Sequence, residues 1–302
     1  MRTAPRVRSG GGTVVAVFGP TASGKSDVAA HVARALGTEV VSADAMQVYR
    51  GLPILTNRSR HAERLVGIIG LDEEMSVGRY APLAQAAVDE LVAANGSAVV
   101  VGGTGLYLRA ALARLDPPPP APEGVRARWE ALYDGDPAAA YGELERLDPP
   151  AAAAVHRNDR RRVVRALELA ETGATLAPEY SALWNGETRH PTLVVGLEVP
   201  PVELARRIDA RTAEMFRRGV VAEVAAALER PLSGTARKVL GLDEIAASEP
   251  EGAQARIAQR TRRYAAYQRK WMRRIPGLVT VDATQAPEHV AAQIVSMVRE
   301  PS

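Results

Sequence analysis

From Val14 the chain reads VVAVFGPTASGKS: an apolar run, Gly19, four further residues, then Gly24-Lys25-Ser26. This is the G-x-x-x-x-G-K-[ST] spacing of a phosphate-binding loop, and it constrains the fold more than any other stretch. A buried strand must deliver the loop and a helix must leave it. The glycines let several backbone N–H groups turn toward one anion, and the positive end of the following helix adds to them. Lys25 supplies a mobile point charge and Ser26 a hydroxyl ligand for Mg2+. Of 38 basic residues only Lys25, Lys238 and Lys270 are lysine. A planar guanidinium cannot replace a compact ammonium in a tight phosphate cradle, so a lysine kept at this position is what an occupied loop requires.

With 302 residues and 46% hydrophobic content, the chain can bury a full core and has room for an insertion. The absence of cysteine excludes disulfides, a thiol nucleophile and thiolate zinc sites, and fits a reducing compartment. No apolar run is long enough to span a bilayer, and the opening MRTAPRVRSGGG lacks a signal-peptide core. The expectation is a cytoplasmic, monomeric protein with residues 1–11 as a disordered basic arm. A net charge of +3 permits a nucleic-acid partner without arguing for one.

Strand-like runs at Val14–Phe18, Glu39–Ser42, Leu65–Ile69, Ala98–Val101, Thr192–Leu197 and Leu278–Val281 alternate with helix-length segments. That pattern predicts an α/β fold with a parallel sheet. The interval from Asp116-Pro117-Pro118-Pro119-Pro120 to His190-Pro191 has no strand candidate and is rich in Ala, Arg, Glu and Leu. It reads as an all-helical insertion entered through a stiff proline hinge. The expected division is a core of 12–116 and 192–302 around an insertion of 117–191.

In open parallel sheets ligands bind at the carboxyl edge of the strands. The second strand delivers Asp44-Ala45-Met46-Gln47 to that edge, where Asp44 can accept a proton or hold a metal-bound water. The fourth ends in Gly102-Gly103-Thr104-Gly105, where two glycines allow backbone and hydroxyl to approach a ligand.

Positive charge is concentrated on predicted helices. In the insertion, Asn158 or Asp159 caps a helix on which Arg161 and Arg165 share a face while Val163, Val164 and Leu167 bury the other. A second helix runs from about Gln254 to Ile275. There Arg256, Arg260, Arg263, Tyr267, Lys270 and Arg274 fall within about 40° of one line, beside a seam of Ile257, Tyr264, Trp271 and Ile275. No acidic residue occurs from Ala255 to Ile275, and a one-sign stripe with an interleaved tyrosine suits a phosphate backbone.

Taken in order, the phosphate loop, Asp44-x-x-Gln47-Val48-Tyr49-Arg50-Gly51 and Val101-Gly102-Gly103-Thr104-Gly105-Leu106-Tyr107 resemble the tRNA dimethylallyltransferase family. So do His156-x-Asn158-Asp159-x-x-Arg162-Val163-x-Arg165-Ala166-Leu167-Glu168 and Thr261-Arg262-x-x-Ala265-x-x-Gln268-x-x-Trp271. The resemblance spans about residues 13–275. It implies a nucleotide-kinase-like P-loop core with a helical insertion that grips a tRNA anticodon stem-loop, and transfer of a dimethylallyl group from dimethylallyl diphosphate to N6 of an adenosine beside the anticodon. It further implies that Gly19, Pro20, Thr21, Ala22, Ser23, Gly24, Lys25 and Ser26 hold the diphosphate with Mg2+. Asp44 would be the base, with Thr104 beside it, and Arg211 would reach the diphosphate. Asp44, Ala45, Met46, Gln47, Arg126, Arg161, Arg162, Val163, Val164, Arg165, Arg237 and Lys238 would face the RNA.

The chain departs from the family in three places. Ala45 stands where a serine is usual, Leu55-Thr56-Asn57-Arg58-Ser59 replaces a Gly-Thr-Ala-Lys-Pro run, and a histidine pair is missing around Arg64-Leu65-Val66. The competing expectations are a P-loop kinase of a nucleoside or small metabolite, and a prenyltransferase of free AMP.

Overall fold

The computed structural model describes residues 12–114, 122, 124–176, 188–247 and 249–299; the expected N-terminal arm and the proline hinge lie outside them. The chain divides into two compact units, Met1–Leu115 with Gly186–Ser302, and Asp116–Asn185.

The larger unit is built on a six-stranded parallel sheet of order β3-β2-β4-β1-β5-β6. Its strands are β1 (Thr13–Phe18), β2 (Val40–Ser42), β3 (Glu63–Arg64), β4 (Ser97–Gly102), β5 (Thr192–Glu198) and β6 (Val279–Asp282). From Val14 to Phe18, β1 is at most 1% exposed, as a central parallel strand covered on both faces must be, hence its unbroken apolar run. Helix α1 (Lys25–Leu36) covers one face, burying Val28, Ala29, Val32 and Ala33 at helical spacing. Helices α2 (Val77–Asn95) and α3 (Gly105–Leu112) pack on each other and on β4. Beyond β5 follow α8 (Pro201–Arg217), α9 (Val220–Leu228), a 3-10 turn (Ala236–Lys238), α10 (Leu242–Ala246), α11 (Pro250–Met272) and, after β6, α12 (Pro287–Arg299).

Register positions the site. Phe18 pairs with Gly102 and Ser42 with Val101, so Gly19, Asp44 and Gly103 leave the sheet at one edge. The order reverses at β1, which lies between β4 and β5, and a crevice opens there.

The expected third strand, Leu65–Ile69, is not formed. Leu65 and Gly67 adopt left-handed φ of 66° and 64°, which turns the chain out of the sheet after Glu63–Arg64. The N–H groups of Gly67 and Ile68 bond instead to the carbonyls of Gln47 and Val48. α11 begins at Pro250 rather than Gln254, because proline fits the first helical turn, whose N–H has no partner inside the helix.

In the smaller unit the secondary structure among the described residues is all helical: α4 (Val125–Gly135), α5 (Pro137–Leu147), α6 (Pro149–Ala154) and α7 (Arg160–Glu171). Asp136, Asp148 and Asp159 cap the last three by accepting backbone N–H bonds, each worth about 1 kcal/mol, and Pro137 and Pro149 occupy first turns. Tyr133, Leu144, Val163, Val164 and Leu167 make its core with small alanines between them.

Candidate active site

Ala22 (φ 65°) and Gly24 (φ 84°) are both left-handed, and left-handed residues at alternate positions turn backbone N–H groups of the loop to one side. Gly24 is also the N-cap of α1, with no side-chain cap of its own. The positive end of α1 is therefore open to a ligand.

The loop is tied to two distant helices. Gln268 of α11 accepts the Thr21 N–H at 2.8 Å and donates to the Gly103 carbonyl at 2.8 Å, joining the β1 and β4 loops through one buried amide. Arg211 of α8 donates to the Thr21 hydroxyl at 2.6 Å. A Cβ on Gly103 would lie 2.2 Å from Gln268 Nε2 and 3.0 Å from the Gly19 carbonyl. The glycine expected to admit a ligand is thus required by this clamp, because no side chain fits between the two loops.

Lys25, Ser26, Asp44, Gln47, Arg211 and Tyr264 line a cavity of about 340 Å³ at the carboxyl edge of the sheet. Burial pulls the Lys25 ammonium below its ordinary value; Asp44 pulls against that, and the nearby Arg211 adds to it. Burial likewise lowers Arg211. An anion entering the cradle would meet two half-buried cations, whose attraction is strengthened where the walls exclude part of the water.

Asp44 is half-buried. Its Oδ1 accepts the N–H groups of Met46 at 2.8 Å and Gln47 at 3.3 Å, which fixes the carboxylate through its own turn. Its Oδ2 has no hydrogen bond among the described residues and is available to accept a proton. Ala45 and Met46 are half-buried in the same turn, and Met46 reaches the cavity. The Gln47 amide donates to the carbonyls of Thr56 and Asn57, and Glu223 of α9 accepts the N–H groups of Ile54 and Leu55 between 2.7 and 3.0 Å. The departure at 55–59 is thereby held in place by a carboxylate from α9.

Thr104 caps α3 without a side-chain bond and is not among the cavity's lining residues. It reaches the site through Tyr264, whose hydroxyl lies 3.3 Å from Thr104 Oγ1. Burial pushes the Tyr264 phenol up to about 12, with Asp44 pushing the same way, so it keeps its proton at neutral pH.

Sequence reasoning gave no chemical role to Gln268, Tyr264 or Glu63. Glu63 opens β3 with both carboxylate oxygens buried. It lies beside the hydroxyls of Ser26 and Ser59, yet neither oxygen has a hydrogen bond of ordinary geometry. Burial raises its carboxyl above the usual range, the Ser59 and Ser26 hydroxyls opposing. Among the described residues no group of three or more His, Cys, Asp or Glu could hold a metal ion. The donor set at the loop, one hydroxyl with sparse carboxylates, suits Mg2+ that draws its other ligands from phosphates and water.

The expected RNA-facing residues fall into three groups. Arg237 and Lys238 are exposed on the 3-10 turn, next to Val239 and Leu240, which line the cavity. In the smaller unit Arg161 and Arg162 are exposed, whereas Val163 and Val164 are at most 1% exposed. Their side chains belong to the helical core, so the assignment of these valines to the RNA surface is corrected: the periodicity that exposes Arg161 turns them inward. Arg126 and Arg165 share one carboxylate, Glu168, which is 2% exposed and lies at 3.4 and 3.2 Å from their respective Nη1 atoms.

The cationic stripe is exposed along α11 and, at Arg274, in the turn that follows, because the helix ends at Met272 rather than Ile275, with Tyr267 at 55%. Arg260 pairs with Glu244 at 2.6 Å, and Arg262 and Arg269, off the stripe, pair with Asp209 and Glu198. Arg256, Arg263, Lys270 and Arg274 have no ion-pair partner among the described residues. Of the seam, Ile257 and Ile275 are buried, but Tyr264 and Trp271 are only half-buried.

The family described as IPP transferase matches residues 47–275, and that described as isopentenyl transferase matches 12–68. The tRNA dimethylallyltransferase of Kineococcus radiotolerans is 42% identical over 287 residues, covering 87% of this chain and 88% of its own length. That of Salinispora arenicola is 40% identical, covering 90% and 83%. The tRNA isopentenylpyrophosphate transferase of Bacillus halodurans superposes with a TM-score of 0.68 at 28% identity over 95% of both chains. A eukaryotic dimethylallyltransferase acting on tRNA superposes with a TM-score of 0.76 at 29% identity, over 91% of this chain and 74% of its own.

Proposed function

The chain belongs to the tRNA dimethylallyltransferase family, and from that premise we propose that it moves a dimethylallyl group from dimethylallyl diphosphate to N6 of an adenosine next to a tRNA anticodon. The observation that carries the proposal is the cavity in which the Lys25 and Arg211 cradle and the unpartnered Oδ2 of Asp44 open on one space.

An exocyclic adenine amine is a weak nucleophile, because its lone pair is delocalised into the ring. The bond between the allylic carbon and the diphosphate oxygen must therefore lengthen early, and the charge left on the diphosphate must be neutralised. Lys25, Arg211 and the loop N–H groups supply that neutralisation from fixed positions, and fixed charge of this kind typically contributes more to rate than any other effect. As the C–N bond forms and the C–O bond breaks, Asp44 takes the N6 proton, a contribution of roughly 10²- to 10⁴-fold in rate. Mg2+, when bound at Ser26, would share the diphosphate charge. An adenine stacked in a loop must be unstacked to reach the crevice, which is why the enzyme needs RNA-holding surface as well as a catalytic pocket. We assign that surface to Arg126, Arg161, Arg162 and Arg165 of the smaller unit, and to Arg237, Lys238 and the unpaired cations of α11 and the turn after it.

No helix of the described residues is long and apolar enough to cross a membrane; from the proposed tRNA substrate we infer action in the cytoplasm. The test is incubation with Mg2+, dimethylallyl diphosphate and an unmodified anticodon stem-loop, or AMP in its place, followed by mass analysis. The stem-loop should gain one dimethylallyl group and AMP none. Modified AMP with untouched RNA would overturn the assignment, and ATP turnover without RNA would point to a kinase.

A further inference from the structure

A carboxylate with both oxygens buried and neither in a hydrogen bond of ordinary geometry is uncommon in a folded protein, because each oxygen forfeits its water without a full replacement. Glu63 is such a group, and its surroundings narrow what could satisfy it. Ser26, whose hydroxyl lies beside it, is the residue of the loop expected to meet a divalent cation. Lys25 and Asp44 are close enough for their charges to act on it, the ammonium favouring ionisation and the carboxylate opposing it. β3 ends one residue after Glu63, and the left-handed Leu65 then turns the chain away. This short strand, pinned to β2 through Val40 and Val41, thus brings a carboxylate to the first turn of α1, while Arg64 beside it pairs with Glu39 and Glu90.

We propose that Glu63 is the carboxylate of the magnesium site, holding the cation together with Ser26 when a diphosphate occupies the loop. Magnesium prefers one or two carboxylates with substrate phosphates and water, and no larger set of ligating side chains stands among the described residues to do this in its place. The proposal rests on the diphosphate reading above. Its rival is that Glu63 only offsets the charge of Lys25 while no anion is bound. The two differ in sign. A mere counter-charge opposes the anion, so Glu63→Gln would tighten diphosphate binding with or without metal. A metal-holding carboxylate would tighten metal-free binding in the same variant yet weaken binding of the cation.

The experiment uses full-length protein with inorganic diphosphate and Mn2+ as a spectroscopic substitute for Mg2+, free Mn2+ being followed by electron paramagnetic resonance. For Glu63→Gln we expect Mn2+ affinity in the diphosphate complex to fall roughly 10- to 100-fold, with metal-free diphosphate affinity equal to or above wild type. Mn2+ affinity within twofold of wild type overturns the proposal, as does equal loss of diphosphate and metal binding. Glu63→Asp, which keeps the charge one methylene short, serves if the glutamine variant loses its thermal unfolding transition. Its Mn2+ affinity should lie below wild type with diphosphate affinity kept, and wild-type Mn2+ affinity there overturns the proposal equally. A wild-type protein that does not bind diphosphate would overturn the parent reading instead, and so the two failures are distinguishable.

Discussion

Under the proposed function, the phosphate-loop cradle of the larger unit and the arginine surface of the smaller one would both present positive charge to a phosphorylated ligand, but by opposite means. In the cradle, Lys25 and Arg211 are half-buried, with burial lowering the pKa of each, and the loop between them is fixed through Thr21 by bonds from α8 and α11. On the helical unit, Arg161 and Arg162 are exposed, and Arg126 leans on carboxylates of its own unit. Partly buried charge in fixed positions acts more strongly on a small anion at short range, whereas exposed charge is screened and acts by number. One suits a single diphosphate whose charge changes during reaction. The other suits a polyanion whose charge stays constant.

If that contrast holds, substitutions in the cradle should be severe and insensitive to salt. Lys25→Ala should produce the largest effect, loss of saturable diphosphate binding in calorimetry with stem-loop affinity unchanged. Asp44→Asn should follow, lowering single-turnover rate by roughly 10²- to 10⁴-fold while diphosphate and RNA affinities stay near wild type. Normal turnover would remove Asp44 from its role. Gln268→Ala tests whether pre-organisation matters apart from charge. It orphans the Thr21 N–H and the Gly103 carbonyl, at about 1–3 kcal/mol each, so both the melting temperature and diphosphate affinity should fall though no charge is lost.

On the arginine surface the effects should be smaller and graded by ionic strength. Arg161→Ala with Arg165→Ala should weaken stem-loop binding, lower the slope of log affinity against log salt by about 1–2, and leave diphosphate binding intact. The smallest and most diagnostic change is Glu168→Gln. Removing a negative charge should strengthen RNA binding if Glu168 merely neutralises its neighbours. A fall in affinity would show that it holds Arg126 and Arg165 in place, and that the helical surface is more pre-organised than its exposure suggests.

The two regions also differed in how openly the sequence displayed them. The loop is contiguous, so glycine spacing, a lone lysine among arginines and a strand before a helix were all visible in one short window. The arginine face followed from the period of α7, and that same period turns Val163 and Val164 into the core. The third strand is not legible in the sequence, because the apolar run Leu65–Ile69 resembles a buried strand, while the left-handed turn at Leu65 goes with the bonds of Gly67 and Ile68 to Gln47 and Val48, which the run itself does not contain.

What local chemistry determines, the sequence alone could supply: the glycine-rich loop between a strand and a helix, the parallel α/β core, the helical insertion and the acid at the end of the second strand. What required the tertiary structure was every contact made across the chain. Gln268 lies 247 residues from the amide it accepts, Arg211 lies 190 from the hydroxyl it meets, and Glu63 faces Ser26 only because β3 pairs with β2. The physical reason is one of range. A turn or a helix face is fixed by neighbours within a few residues, whereas the partner of a buried polar group is set by whichever distant segment the packed sheet brings within about 3 Å.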